Sequence, residues 1–473
     1  MIKNYDVVIV GGGAGGLFAA YEFTKVAPNL KVCILEKGNR LEKRECPIDG
    51  VKIKNCINCK DCSIMTGIGG AGAFSDGKYN ITNNFGGDLA AYVGSEKAIE
   101  LMEYVDTINM SMGGEGTKKY STVDSSLKRE ALKHDLHLLD AEVRHLGTDR
   151  NYTILTNIVK YIEPHVDIIC NTEVLDIAEM SSADNESQNA HWDLTTANDT
   201  YRARDVIVCP GRSGSAWTQK ICEKLNIPTK SNRVDIGIRF ECPAEAWDHI
   251  TDQVYESKIL YRSPKTGCTC RTFCMNPRGF VCAEQTDNYV SVNGHSFSES
   301  NFEKRTNNTN FALLVTHHFT EPFKDSNAYG EAIARLSNML AGGVMVQRFG
   351  DLVANKRTND KRLAESFVRP TLTATPGNLA LVLPKMTLDT IIDMIYALDK
   401  ICPGTANYDS LLYGVELKQY NSQVEVDNEF MTKYEGLYMC GDGAGITHSL
   451  SQAASCAVAT ARTIIKKSQL LHT

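Results

Sequence analysis

Apolar runs of four to six residues recur along the chain, and the residues directly after each run decide what it builds. Residues 5–10 (YDVVIV) end in four apolar positions without polar alternation, the mark of a strand buried on both faces. A glycine cluster comes next, then LFAAYEFTKV, whose apolar positions recur at helical spacing. Residues 31–35 (KVCIL) repeat the buried-strand pattern and stop at Glu36. Residues 167–170 and 172–178 read as strands, and a polar loop over 181–189 separates them from the alternating segment HWDLTTA, which suits a small β-hairpin layer. Residues 205–209 form a fourth apolar strand, and 436–440 a short last one. After it, Ala453, Cys456, Ala457, Thr460, Ala461 and Ile464 fall on one face of a helix over about 449–467.

Between Val234 and about Gly404 the pattern changes. Short strands such as DIGIRFE, RTFC, GFVCAE, YVSVN and FALLVTHH alternate with turn signals, and helices are expected at 327–340 and 388–401. The predicted architecture is α/β. Residues 1–232 and 408–473 form a discontinuous Rossmann-like nucleotide-binding domain, and 233–407 an inserted, mainly antiparallel α+β substrate or cap domain. No repeat at solenoid or propeller periods is seen.

Composition narrows the function classes. The 473 residues suit two or three domains, and 42% hydrophobic with 23% charged residues fits a globular protein. A net charge of -7 supplies no broad positive field, so no nucleic-acid or membrane partner is expected and a small-molecule substrate is. The first apolar run is too short and too glycine-rich for a signal peptide or a membrane span, and a cytoplasmic location is expected. The 16 cysteines are then reduced thiols, some buried and some candidate metal ligands.

Gly11, Gly13 and Gly16 have GxGxxG spacing between a strand and a helix. The first permits a tight turn, the second lets backbone approach a pyrophosphate, and the third lets helix pack on strand. Glu36, twenty residues after Gly16, is placed to accept hydrogen bonds from a ribose diol, which implies FAD or NAD. Ala14, in the same turn, and Lys37, directly after Glu36, complete the candidate positions on this side.

Several stretches together resemble the FAD-dependent dehydrogenases, a branch of the glutathione-reductase-like flavoproteins: VVIVGGGAGGL, GIGGAGAFSDGK, RHLGTD at 144–149, CPGRSGSAW, VDIGIRFE, RTFCMNPRGFV, VNGHS and YMCGDGAGITHSL. They span nearly the whole chain. The resemblance implies FAD, with Asp442 after Gly441 on the ribityl chain and the last helix aimed at the pyrimidine end of the ring. A plain helix cap is the other reading of Asp442. It also implies that Val174 holds adenine through backbone groups, that Gly211 lies where the hairpin layer rejoins the cofactor sheet, and that Gly69, Gly70 and Gly72 run along pyrophosphate and ribityl. Lys78 then comes near the flavin, or else is a solvated turn lysine. Residues 210–214 (PGRSG) depart from the DGxxS motif of aromatic hydroxylases, which disfavours a monooxygenase, and a dedicated pyridine-nucleotide domain is not expected.

Cys46, Cys56, Cys59 and Cys62 precede the second glycine loop. Three of them have CxxCxxC spacing, which suits an iron-sulfur cluster or zinc, a dithiol relay, or unbound thiols. His448, at the start of the last helix, and Cys274, in RTFC, are the candidates for handling a proton; His295 is a further acid-base histidine, and His317 and His318 read as structural. The expected function is an FAD-dependent oxidoreductase moving a hydride between flavin N5 and a small molecule, with NAD(P)H or an electron carrier as a transient partner. A flavin and iron-sulfur electron carrier and a flavin-dependent RNA-modifying protein are the alternatives.

Overall fold

The computed structural model describes the chain except residues 48–52, 54–56, 58, 60, 124, 181–190, 255, 287–288, 297–304, 320–322, 324 and 472–473. It divides into two compact units: Met1–Lys118 with Arg144–Lys230 and Asn421–Thr473, and Lys119–Val143 with Ser231–Tyr420.

The core of the first unit is a sheet of five parallel strands in the order Val166–Ile169, Val32–Leu35, Ile2–Val10, Thr200–Val208 and Leu437–Met439. Val7 to Val10 and Val32 to Leu35 are buried, as unbroken apolar runs require. The first half of Thr200–Val208 also pairs antiparallel with Trp192–Thr195, and that strand with Asp176–Glu179. This last strand begins later than residue 172 because the chain is still turning there. Asn171 is left-handed, with φ 52°, and the Thr172 N–H donates to the Glu36 carbonyl at 2.9 Å. Helix Ala14–Val26 packs on Leu450–Leu471 through small residues, and a Cβ on Gly15 would lie 3.6 Å from both the Ala453 carbonyl oxygen and the Ala457 Cβ. Two further helices, Ser95–Asn109 and Thr148–Ile162, pack against Leu450–Leu471 and Ala14–Val26 respectively.

The second unit is built on an eight-stranded sheet ordered Thr375–Pro376, Met345–Arg348, Leu411–Gln419, Val234–Pro243, Asn308–His317, Thr269–Asn276, Ile259–Arg262 and Leu136–Leu138. All neighbours are antiparallel except the first pair. This pairing moves the predicted domain boundaries. Leu411–Gln419 lies beside Val234–Pro243, so the return to the first unit comes after Tyr420 rather than at 407/408. Leu136–Leu138 adds an edge strand, which brings Lys119–Val143 into this unit.

Val234–Pro243 alternates Val, Ile, Ile, Phe with Asp235, Gly237, Arg239 and Glu241, and both sets are buried. The apolar face meets Phe311, Leu313 and Val315 and is covered by helix Lys385–Asp399 through Leu388, Ile391, Met394, Ile395 and Leu398. The other face is polar. There Arg239 donates to Glu416 at 2.8 Å, to the Asn293 side chain at 2.8 Å and to the Cys274 carbonyl at 2.7 Å.

Burial pushes the Glu416 carboxyl up to about 7, against the pull of the Arg239 guanidinium and with nearby Glu284 adding to the rise. Between 4.5 and about 7 the native state therefore holds a proton that the unfolded chain releases, so this contribution to stability is full below pH 4.5 and is lost as pH rises through 7. The unfolding free energy of the wild type, relative to Glu416→Gln, should fall from about pH 4.5 to about pH 7 and be level above. Urea melts at stepped pH check this, and a difference that does not change with pH would mean Glu416 titrates in the native state as it does in the unfolded chain.

Candidate functional site

The turn after Val10 is held by contacts that only glycine tolerates. Gly11 has φ 103°, and a Cβ there would lie 2.6 Å from the Cys209 carbonyl oxygen; a Cβ on Gly16 would collide with the Gly11 carbonyl. Gly13 differs. Its φ is -74°, and a Cβ would meet only the Gly70 Cα, at 3.8 Å. Nothing in the protein requires glycine at 13, so the approach of another group to the backbone is what its missing side chain permits. Ala14 opens the helix here, and the amides of its first turn have no intrahelical partner.

Glu36 ends its strand buried, and its carboxylate accepts N–H bonds from Gly12 at 2.7 Å, Gly38 at 2.8 Å and Gly67 at 3.0 Å. Two carboxylate oxygens offer about four lone-pair positions, so one acceptor position is left for a ribose hydroxyl. Lys37 is half-buried beside it.

The second glycine loop stacks on the first. The Gly69 N–H donates to the Gly12 carbonyl at 2.8 Å, and Gly69 and Gly70 are left-handed, with φ 89° and 58°. Arg44 secures this loop, a role the sequence did not reveal: the second Arg of the charged run NRLEKRE reads as a solvated side chain. It is only 4% exposed and donates to the carbonyls of Ser63, Ile64, Ile68 and Gly70 at 2.7–2.9 Å, and to Gly67 at 3.5 Å. Its guanidinium carbon also lies 4.8 Å from the centre of the Phe74 ring. Burial lowers its pKa to about 10, so it stays charged at neutral pH.

The third turn comes after Leu437–Met439. Gly441 and Gly211 are left-handed, at φ 77° and 68°, and a Cβ on either would meet nothing within 4 Å. The Asp442 carboxylate accepts from the Thr447 hydroxyl at 2.7 Å, and its carbonyl accepts from the Asn421 side chain at 2.7 Å. The His448 N–H donates to the Gly86 carbonyl at 2.8 Å, two residues before helix Leu450–Leu471. Gln452, also missed in the sequence, ties residues 82–89 to this helix start by donating to the Thr82 and Phe85 carbonyls and accepting from the Leu89 N–H. A Cβ on Gly72 would lie 2.7 Å from Leu450 Cδ2, so the second loop also touches the last helix. Lys78 opens strand Lys78–Ile81 with its side chain largely buried and its Nζ 3.1 Å from the Asp76 carboxylate. It is not a solvated turn lysine. Val174 is buried in the core of this unit.

The structure thus brings the first, second and third turns together in one unit. Cys274 belongs to the other unit, where it is left-handed at φ 49° and half-buried, with the Asn276 side-chain amide 3.8 Å from its sulfur. Of the four candidate metal-binding thiols, Cys46 and Cys59 are exposed and Cys62 half-buried, while Cys56 lies outside the described residues. Among the described residues, no three His, Cys, Asp or Glu side chains are grouped to hold a metal ion. The Cys62 carbonyl accepts from the N–H groups of Met65 and Thr66, a turn that leads directly into Gly67.

Residues 235–419 match the family model described as FAD-dependent protein, C-terminal domain-like, and residues 1–41 match the Thi4 family. An uncharacterized protein of Clostridium beijerinckii is 24% identical over 488 residues, covering 98% of this chain and 81% of its own. Among solved structures, a geranylgeranyl bacteriochlorophyll reductase-like protein from Thermoplasma acidophilum aligns with 100% of this chain and 80% of its own at 10% identity and a TM-score of 0.39. Glycine oxidase from Geobacillus kaustophilus aligns with 98% and 95% at 11% identity and a TM-score of 0.39. These scores are low. FAD as the cofactor stands on the family match together with a cradle whose open glycines, carboxylate and helix start fit a dinucleotide.

Glu36→Gln places an amide donor against the Gly12 N–H and removes the charge that strengthens the other two bonds, each worth about 1.5–3 kcal/mol. The variant should melt at lower temperature and keep less than a tenth of its FAD through gel filtration. Unchanged melting with full flavin content would show that the first two turns are held by other means.

Proposed function

We propose that this FAD-dependent chain is an oxidoreductase of the glutathione-reductase-like kind, moving a hydride between the flavin and a small-molecule substrate. The observation that carries the reading is the meeting of three glycine turns with two carboxylates, Glu36 and Asp442, and one helix start in a single unit. Bound FAD supplies the two-electron chemistry.

The chain's own residues then divide the work. Glu36 offers its remaining lone pair to the ribose, and the amides at Gly13 and Ala14 receive the pyrophosphate. Asp442, fixed by the Thr447 hydroxyl, presents its other oxygen to the ribityl chain. The start of helix Leu450–Leu471 carries the positive end of its dipole, which favours the negative charge that reduction places on the pyrimidine side. Lys78 adds a cation, partly offset by Asp76. His448 is half-buried with its backbone anchored to Gly86, so its imidazole is the side chain assigned to hold or release the substrate's proton.

Two measurements test this. Anaerobic titration of the purified holoprotein against dyes of known potential should show flavin bands that bleach with two electrons per chain. In Lys78→Met the midpoint should drop by on the order of 10–30 mV, where 30 mV corresponds to a tenfold change in equilibrium constant. A midpoint equal to the wild type would place Lys78 out of range of the ring. Metal analysis of the same sample separates the readings of the cysteine segment: about four iron atoms per chain would make the protein a flavin and iron-sulfur electron carrier instead.

A further inference from the structure

One stretch of the second unit runs against the acidity of the chain. Between residues 353 and 369, Lys356, Arg357, Lys361, Arg362 and Arg369 are set against Asp360 and Glu365 alone, although the net charge of the whole is -7. Arg362 is taken up within the fold, 3.7 Å from the buried Asp351 carboxylate. The other four cations are exposed. Among the described residues none of the four makes an ion pair; Arg357 and Arg369 donate only to the carbonyls of Pro376 and Ala364, at 3.4 and 2.6 Å.

Large apolar side chains stand out of the same surface. Phe367 is 94% exposed, Tyr408 67%, Leu381 65% and Val353 38%. Phe367 is not on a loose loop tip: Ser366 and Val368 on either side of it are buried, its N–H donates to the Asp409 carboxylate at 3.0 Å, and Arg348 holds that carboxylate in turn at 3.0 Å. A fixed backbone keeps the ring in water.

Hydrogen bonds tie these side chains into one patch. Tyr408 directly precedes Asp409 and so lies beside Phe367; its carbonyl accepts from the Gly350 N–H at 2.9 Å, and a Cβ on Gly350 would lie 2.7 Å from the Tyr408 Cβ. Val353, three residues after Gly350 in helix Phe349–Val353, falls on that side. Leu381 is reached through Gln347, whose side chain accepts from the Leu379 N–H and donates to the Lys356 carbonyl, each at 2.8 Å. The cations are interleaved with the apolar groups, Lys356 and Arg357 just after Val353 and Arg369 two residues after Phe367. Single exposed apolar residues need no explanation, whereas a fixed group of them among unpaired cations marks an interaction surface.

We propose that this face of the second unit docks on an anionic lipid bilayer, with Phe367, Tyr408 and Leu381 entering the headgroup region and Lys356, Arg357, Lys361 and Arg369 lying against the phosphates. With nearly all of its side chain open to water, Phe367 is a projection and not the wall of a groove, and a projection enters a fluid phase without a matching pocket. Cations around apolar tips divide as a bilayer surface does, charge at headgroup level and rings below it. Net charge predicts no membrane partner, but it is an average. At physiological ionic strength fields decay within about 8 Å, so the local cations outweigh distant acids. A second copy meeting this one patch to patch would oppose like charges. The surface lies wholly within the second unit and does not depend on the FAD assignment.

Co-sedimentation of the holoprotein with vesicles of phosphatidylcholine alone, and of phosphatidylcholine with about a third phosphatidylglycerol, tests it. Binding to the anionic vesicles is expected, weakening as salt is added, with little binding to the neutral ones. The affinity should fall about tenfold in Phe367→Ser and in the double variant Lys356→Gln, Lys361→Gln, with far-UV circular dichroism and flavin content unchanged. No binding to the anionic vesicles, equal binding to both kinds, or wild-type affinity in either variant would overturn the proposal. Binding of poly-L-glutamate without binding of vesicles would overturn it too, in favour of an acidic protein as the occupant.

Discussion

The carboxylate of Glu36 joins the first two glycine turns of the first unit to the end of its own strand. It binds the amides of Gly12, Gly38 and Gly67, each from a different segment, in a position almost closed to water. Left without it, three buried N–H groups would lose their partner at about 1–3 kcal/mol apiece, a large part of any domain's stability. Arg44 completes the arrangement from the other side of the same loop. Gly67 gives its N–H to Glu36 and its carbonyl, with those of Ile68 and Gly70, to Arg44. One anion collects donors and one cation collects acceptors, so a loop with little side-chain bulk is fixed by its backbone. A cradle held this way is shaped before the cofactor arrives, and binding need not spend its free energy on ordering the loops.

The glycines of this unit fall into two physical classes. At Gly11 and Gly16 an added Cβ would strike the protein's own backbone, which makes them requirements of the fold. At Gly211 and Gly441 the turn needs a positive φ, and the space beyond is open. Gly13 has neither constraint. It caps a helix with ordinary backbone angles, a position where Ser, Asp or Asn would serve the helix better, so its presence is explained by what comes close to it and not by what it supports.

Much of this was legible in the chain because period and punctuation are local. The buried strands around residues 7–10, 32–35 and 206–208, the turn glycines and the long last helix all announce themselves within a few residues. Helix Thr148–Ile162 is legible too, in the helical spacing of Ile154, Leu155, Ile158, Val159 and Ile162. Arg44 and Gln452 were not legible. Their roles consist of hydrogen bonds to backbone carbonyls contributed by other segments, and a carbonyl has no letter in the sequence. The domain boundary at Tyr420 was missed for a related reason: Leu411–Gln419 reads like any apolar strand, and only pairing with Val234–Pro243 decides which sheet it joins.

In the second unit the alternation of VDIGIRFE records two environments on one strand. Its apolar half is an ordinary core, where Phe311 packs on Phe240 and Trp247 at ring separations of 5.3 and 4.7 Å. Its polar half is costly. Arg239 and Glu416 are both withdrawn from water, and the cost registers in Glu416 itself, whose carboxyl is driven toward neutrality in spite of its partner. Apolar residues of similar volume at such a pair are often neutral or stabilising, so stability does not account for the charges on this face.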